Sequence, residues 1–267
     1  TNGGVVWDTA RYPVYDVYIK DIVFLDSLTG YIGGVPGIFH KTTNGGLNWT
    51  KCNLDSNIAS GFPVNRFRFL NSRIGIAVGG AIDIAGVVWK TTNYGQFWSS
   101  GIVAPEPIND IKLFDSVNYL AVGGDYEYGA SVLKTTNGGV NWVYKTLEMY
   151  GIPRALAIRT NSECWAPMGY MPNFIMTTDV GSTWSILDSP DTTKIFDLVF
   201  KSSSFGIGVC SYGYVIKYFS SPAFSVAGNV KYNDNNQPVT ICMVKAFNLD
   251  KSSGHVVVLD SAMIQPD

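Results

Sequence analysis

The sequence predicts an all-β fold, a β-propeller of four-stranded antiparallel blades, with about five blades in this chain. Three observations carry that expectation. An eight-residue pattern, Thr-x-Asn/Asp-x-Gly-x-x-Trp, recurs at steps of 42, 49, 44 and 42 residues. An alternating apolar–polar run precedes each copy, and alternation at period two is the signature of a half-buried strand. The 267 residues include 28 glycines and 13% aromatics, a composition suited to short strands joined by tight turns.

Each period divides into the same four strands. The first is the alternating run, at 21–24, 66–69, 110–113, 155–158 and 197–200. A short polar turn leads to a strand of small residues, such as Gly-Ile-Ala-Val-Gly at 75–79 or Tyr-Leu-Ala-Val-Gly at 119–123. A third, apolar strand runs into Lys-Thr-Thr, as at 87–92 and 131–136, and the segment bearing the Trp closes the unit. Four short antiparallel strands per period is the layout of a propeller blade. A β-helix needs far shorter repeats and a helical solenoid needs apolar residues at helical spacing; neither is present.

Four complete copies of the pattern lie at 42–49, 91–98, 135–142 and 177–184, and a clipped copy at 1–7 ends in Trp7. Asn-Gly and Gly-Gly between strands favour turns with positive φ, where glycine carries no Cβ penalty. The Asn or Asp side chain accepts from backbone N–H groups ahead of it and fixes the hairpin. Tryptophans Trp49, Trp98, Trp142 and Trp184 are expected to be largely buried in equivalent contacts, each ring N–H needing a partner.

The copy Thr177-Thr178-Asp179-Val180-Gly181-Ser182-Thr183-Trp184 matches the Asp-box, or BNR repeat. The Asn-Gly-Gly copies resemble the form found in photosystem II assembly factor-like propellers of secreted bacterial proteins. The resemblance covers residues 1 to about 220. It implies a propeller whose boxes face away from any active site. It therefore implies a structural role for Asn44, Gly46, Trp49, Asn93, Gly95, Trp98, Asn137, Gly139, Trp142, Asp179, Gly181 and Trp184. It does not select one function, because Asp-boxes recur in sialidases, xyloglucan-active glycosidases, sortilin-like receptors and non-catalytic propellers. A calcium loop at the box would need more hard oxygen ligands than one carboxylate provides.

The last repeat has three strands, near 197–200, 206–209 and 214–217, and loses the box at Tyr218-Phe219-Ser220-Ser221. Residues 1–10 supply a fourth strand without the other three, so pairing of 1–10 with the blade at 196–219 would close a ring of five. The competing expectation is a parent of six to eight blades cut upstream, since the chain opens inside a repeat. The propeller is assigned to residues 1–221. Residues 222–267 read as the start of a truncated β-sandwich module, with strands at 226–232, 243–247 and 256–259.

Candidate ligand-binding residues lie where loops between second and third strands converge in propellers. The richest loop carries Asp125, Tyr126, Glu127 and Tyr128, with Tyr170, Met171 and Tyr212 in equivalent loops. Carboxylates beside aromatics suit a sugar or a peptide; a solvated loop with tyrosines packed on neighbours is the other reading. A second constellation comes from repeat-equivalent starts of the first strands: Asp21, Arg66, Asp110 and Asp197, with Arg154 one residue from the fifth position. These form either a polar recognition ring or a set of mutually satisfied charges.

Sialidase-type catalysis needs an arginine triad, yet only six arginines exist (11, 66, 68, 73, 154 and 159) and the usual Arg-Ile-Pro opening is missing. Glycosidases need two carboxyls at set separations; Asp125 or Glu127 with Asp83 is the available pairing. No Ser-His-Asp set, phosphate loop or metal-ligand spacing is visible, and Cys52, Cys164, Cys210 and Cys242 read as free, mostly buried thiols. A net charge of −2 gives no electrostatic reason to expect nucleic acid, and no apolar run is long enough to span a membrane. The expectation is a non-catalytic, secreted or cell-surface propeller without cofactor or metal that binds a protein or carbohydrate. The alternative is an Asp-box glycoside hydrolase, sialidase-like or xyloglucan-active.

Overall fold

The computed structural model describes residues 5, 12, 16–55, 61–219, 243–249 and 256–263. The expected pairing of residues 1–10, Trp7, the strand at 226–232 and Cys242 lie outside the described residues. The chain divides into two compact units, Thr1–Ile152 and Pro153–Asp267.

The first unit contains three four-stranded antiparallel sheets in chain order. The first sheet comprises β1 (Tyr18–Phe24), β2 (Gly30–Val35), β3 (Ile38–Thr42) and β4 (Thr50–Lys51). The second comprises β5 (Val64–Phe69), β6 (Gly75–Ala81), β7 (Ala85–Thr91) and β8 (Ser99–Ala104). The third comprises β9 (Ile108–Leu113), β10 (Tyr119–Asp125), β11 (Gly129–Thr135) and β12 (Val143–Thr146). The cores lie between sheets. Tyr31, Phe39, Phe67, Trp89 and Trp98 fill the space between the first and second. Ile76, Val78, Ile108, Ile111, Tyr119 and Leu133 fill that between the second and third.

The second unit holds a four-stranded sheet of β13 (Ala157–Ile158), β14 (Cys164–Pro167), β15 (Asn173–Thr177) and β16 (Ser185–Asp188). A three-stranded sheet of β17 (Ile195–Ser202), β18 (Phe205–Cys210) and β19 (Val215–Phe219) follows. Trp165, Phe174, Leu187, Ile195 and Leu198 form its core, with Phe200 and Tyr218 packed against them. An antiparallel hairpin of β20 (Met243–Leu249) and β21 (Val256–Met263) occupies the positions expected to be strands near 243 and 256. No helix among the described residues is long and apolar enough to cross a membrane.

One feature of every well-formed first strand was not visible in the pattern. Register slips by one residue between Ile19 and Asp21, Val64 and Arg66, and Ile195 and Asp197, and likewise between Ile108 and Asp110 opposite Val122 and Gly123. These repeat-equivalent β-bulges sharpen the twist where the strand begins. They also explain the glycines in the second strands. At Gly34, Gly79 and Gly123 a Cβ would meet the carbonyl oxygen of Tyr18, Pro63 or Pro107 at 2.0–2.2 Å, so only glycine lets the bulged strand approach.

Candidate functional site

The repeated turn is built identically four times. In the first copy Thr42 donates its hydroxyl to Asn44 Oδ1 (2.9 Å), Gly46 N–H donates to Thr42 Oγ1 (2.9 Å) and Asn48 N–H donates to Asn44 Oδ1 (2.9 Å). The same Thr-to-Asx hydroxyl bond recurs at Thr91–Asn93, Thr135–Asn137 and Thr177–Asp179. The two residues after each Asx take positive φ: Gly45–Gly46, Tyr94–Gly95, Gly138–Gly139 and Val180–Gly181. Burial opposes ionisation of Asp179, but hydrogen bonds from the Thr183 side chain and N–H, the Thr177 hydroxyl and Ser182 N–H outweigh it and bring its pKa down to about 2. Every Asx oxygen is thus committed to the turn. Lysines add a tie between blades: Lys41 Nζ donates to Tyr94 O (2.8 Å) and Lys90 Nζ to Gly138 O (2.6 Å), equivalent carbonyls of successive turns.

The tryptophans correct the expectation of equal burial. Trp98 is fully buried, whereas Trp49, Trp142 and Trp184 are half-buried. The extended segment Asn53–Asp55 crosses onto Trp98, through Trp98 N–H donating to Asn53 O and Asp55 N–H donating to Trp98 O. Among the described residues the ring N–H of Trp98 also lacks the partner expected of it.

The charged first-strand constellation in the first unit comes together as one network. Asp21 Oδ2 accepts from Phe67 N–H at 2.7 Å, and Asp110 Oδ1 from Arg68 Nη2 (2.9 Å) and Ile111 N–H (2.8 Å). Arg66 lies 3.7 Å from Asp21 and 3.3 Å from Asp110, and Lys112 lies 3.8 Å from Asp110. Loss of water raises the Asp21 pKa, opposed by the Phe67 N–H and by Arg66 and Arg68. Arg66 thus lies between two carboxylates, with its buried Nε making no hydrogen bond among the described residues. In the second unit Asp197 accepts from Leu198 N–H (2.8 Å), the counterpart of the Asp110 bond.

The β10–β11 loop gathers carboxylates. Oxygens of Asp83, Asp125 and Glu127 lie within 4.8 Å of one another. Asp125 is buried and shapes its own turn, accepting from Glu127 N–H (3.1 Å) and Tyr128 N–H (2.7 Å). Behind them Glu106, buried in the link between β8 and β9, accepts from Asp83 N–H (3.1 Å). Loss of water raises the Glu106 pKa; the Asp83 N–H opposes this, while the charges of Asp125, Asp83 and Glu127 add to it. Tyr126 and Tyr128 stand exposed beside the cluster at 66% and 56%. Sequence reasoning paired Asp83 with this loop but missed Glu106, whose one signal was a lone carboxylate between Pro105 and Pro107.

In the second unit Arg154 sits over the Tyr170 ring at 4.9 Å, and Tyr170 meets Phe196 edge-on at 6.5 Å. Tyr212 is 94% exposed with φ of 59°. A tie that the sequence did not reveal joins the two sheets here. Arg159 forms a bidentate ion pair with Glu163, which also accepts from Trp165 Nε1 (2.7 Å), while the guanidinium lies 5.5 Å from the Tyr218 ring centroid.

Successive four-stranded antiparallel sheets, each closed by the same Thr–Asx turn and three of them opening on a bulged first strand, define a β-propeller. No known family profile matches the chain. It is similar to the photosystem II assembly lipoprotein Ycf48 of Synechococcus sp. (strain CC9902), at 27% identity over 103 residues, which span 38% of this chain and 29% of that protein. Among solved structures it resembles Ycf48 bound to D1 peptide, at TM-score 0.58 and 22% identity, over 77% of this chain and 64% of the other. Ycf48 from Cyanidioschyzon merolae aligns with TM-score 0.60 at 15% identity, over 83% and 72%. The GH74 enzyme of Niastella koreensis aligns with TM-score 0.56 at 13% identity, over 72% and 35%. The chain is thus a propeller related at low identity to a photosystem II assembly factor, and it spans less than a third of that curated relative.

Proposed function

We propose that the chain is a non-catalytic, secreted or cell-surface propeller that binds a protein partner. A basic segment of that partner docks at the acidic, tyrosine-flanked loops of the first unit. The observation that carries this is the mutual approach of Asp83, Asp125 and Glu127 within 4.8 Å, backed by buried Glu106. Like charges this close repel, and a Lys or Arg side chain bound among them relieves the repulsion, while Tyr126 and Tyr128 supply flat contact area. Arg154, Tyr170 and Tyr212 offer further ligand contacts on the second unit, and Arg66 serves the charged network. The likeness to Ycf48, one of whose structures holds a D1 peptide, supports a protein ligand over a carbohydrate. On this reading the Thr–Asx turns are Asp-boxes that serve the frame, residues 1–221 form the propeller and 222–267 a separate β-sandwich-like module.

The hydrolase alternative draws on the likeness to GH74 enzymes, which at 13% identity concerns the fold. Against it, Asp125 and Glu106 are buried and engaged with backbone N–H groups, leaving only Asp83 and Glu127 of the cluster open. Calorimetric titration with a panel of Lys- and Arg-rich peptides tests the proposal. Asp83→Asn with Glu127→Gln should weaken binding at least about tenfold, one lost charge pair being worth about 1.4 kcal/mol or more. Unchanged affinity in that double variant overturns it, and so does release of sugar from xyloglucan that Glu127→Gln abolishes.

A further inference from the structure

Two grooves between neighbouring sheets of the first unit are built from equivalent positions but finished differently. In the first, the chain beyond β4 leaves its own sheet and crosses to the next. Trp98 N–H donates to Asn53 O (2.9 Å), Asp55 N–H donates to Trp98 O (3.0 Å), and Leu54 bridges Trp98 in parallel register. The Asp55 carboxylate accepts from Ser100 N–H (2.6 Å) and from the Ser100 hydroxyl. Leu54 packs against the core that holds Phe39 and Trp98.

In the second groove β8 stays paired with β7 as far as Ala104, so its chain does not cross to Trp142. By position in the repeat, Val88 stands where Phe39 does and Gly101 where Cys52 does. A Cβ on Gly101 would meet no atom within 4 Å. A groove of about 430 Å³ results, lined by Val88, Lys90, Gly101, Val103, Val140 and Trp142 among others. The N–H and C=O of Trp142 correspond to the two groups of Trp98 that Asn53 and Asp55 satisfy, and they have no hydrogen-bond partner among the described residues. β12 is the outermost strand of its sheet, with Val143 71% exposed and Val140 beside it 70% exposed. Among the described residues Lys90 is the one charged residue lining the groove, and no carboxylate lines it.

We propose that this groove docks an extended segment of a partner protein. The segment adds in parallel beside Trp142 as Asn53-Leu54-Asp55 adds beside Trp98, and carries an apolar residue followed by a carboxylate. Main-chain pairing on an exposed strand edge supplies affinity, and alternate side chains supply selectivity. The apolar side chain fills the space above Gly101, and the carboxylate complements Lys90 and the outward N–H of Tyr144, the counterpart of Ser100. The proposal rests on the protein-binding reading but uses different residues from the acidic loops.

The probe is a blocked synthetic peptide copying residues 50–56 with serine in place of cysteine, titrated into the full chain and followed by amide and indole NMR shifts. Saturable binding tighter than about 1 mM, with shifts centred on Trp142 and Tyr144, is expected. Gly101→Leu, which fills the groove, should weaken it at least tenfold, as should Val140→Glu, an exposed change that keeps the fold if Gly101→Leu does not. N-methylation of the peptide's aspartate nitrogen should abolish binding. The Asp83→Asn, Glu127→Gln variant should bind this peptide as the unaltered chain does, so failure at one site is distinguishable from failure at the other. Absence of shifts at millimolar peptide, or binding indifferent to both groove variants, overturns the assignment. A dimer broken by Val140→Glu in a chain that ignores the peptide also overturns it, in favour of a second copy.

Discussion

Replacing box tryptophans one at a time separates a buried hub from three surface plugs. Trp98 meets Phe39, Tyr31, Phe69 and Phe67 with centroids at 4.9, 5.7, 5.9 and 6.3 Å, and is fully buried. Truncating an aromatic of this kind costs about 3–5 kcal/mol, and four ring contacts place Trp98→Ala toward the upper end, each such pair adding about 0.5–1.5 kcal/mol. Its ring N–H is buried without a partner among the described residues, and removing that group returns about 1 kcal/mol. The net expectation is about 4 kcal/mol. Trp142 is half-buried with Tyr119 as a ring neighbour at 6.5 Å, so Trp142→Ala should cost about 2 kcal/mol. Trp98→Phe keeps an aromatic body and deletes the orphaned N–H, and should cost less than about 1.5 kcal/mol. Urea unfolding followed by far-ultraviolet circular dichroism reads all three, and with m near 2 kcal/mol/M the Trp98→Ala midpoint falls by about 2 M. Equal losses for Trp98→Ala and Trp142→Ala, or a loss above about 3 kcal/mol for Trp98→Phe, would refute the reasoning.

Val180 is β-branched yet holds φ of 55°, so Val180→Gly should raise stability by about 0.5–1 kcal/mol, visible as a higher thermal midpoint. Glu163→Ala leaves the Trp165 N–H without its acceptor and the Arg159 charge unpaired, with only Ser203 O to accept from it, and should cost about 3–5 kcal/mol in denaturant unfolding. His40 shares a 2.6 Å hydrogen bond with the Tyr12 hydroxyl through Nδ1, and burial, then Lys51, push its pKa below the usual value. Because the folded chain binds that proton less readily than the unfolded chain, the His40 contribution is present above about pH 6.5 and is lost as pH falls through that value toward the lower folded pKa. A stability profile from pH 7.5 to 5 should flatten in His40→Gln; an unchanged slope refutes the assignment.

The frame was legible because its determinants are local. Thr42, Asn44 and Gly46 build their turn from bonds no more than four residues apart, so the pattern in the sequence is the mechanism itself. What the sequence hid depends on neighbours distant in the chain. Gly79 and Gly123 were visible as small residues, yet their cause, a bulge that drives Pro63 O or Pro107 O against them, requires knowing strand register. The loop at Asp125 was picked out by its carboxylates and tyrosines. That Asp125 is spent on its own turn while Glu106 stands behind it follows only from the β8–β9 link folding under the β6–β7 turn. For Arg66 the sequence left a recognition ring and a set of mutually satisfied charges both open, because Asp110 is 44 residues away and the network between them appears only once sheets are stacked.

The unequal tryptophans show how one repeated turn yields surfaces of different character. The Thr–Asx turn and the lysine tie are the same at both junctions of the first unit, with Lys41 reaching Tyr94 O and Lys90 reaching Gly138 O. The scaffold therefore does not decide whether a tryptophan is sealed. That is decided by two positions outside the turn: the third-strand residue, Phe39 against Val88, and the residue three beyond the Trp, Cys52 against Gly101. A phenyl ring and a thiol fill the first junction and the chain crosses over them; a valine and a bare glycine leave the second open along β12. The shape of such a groove can change without touching the turn that holds each blade, since the groove is set by side chains whose loss costs the frame no hydrogen bond.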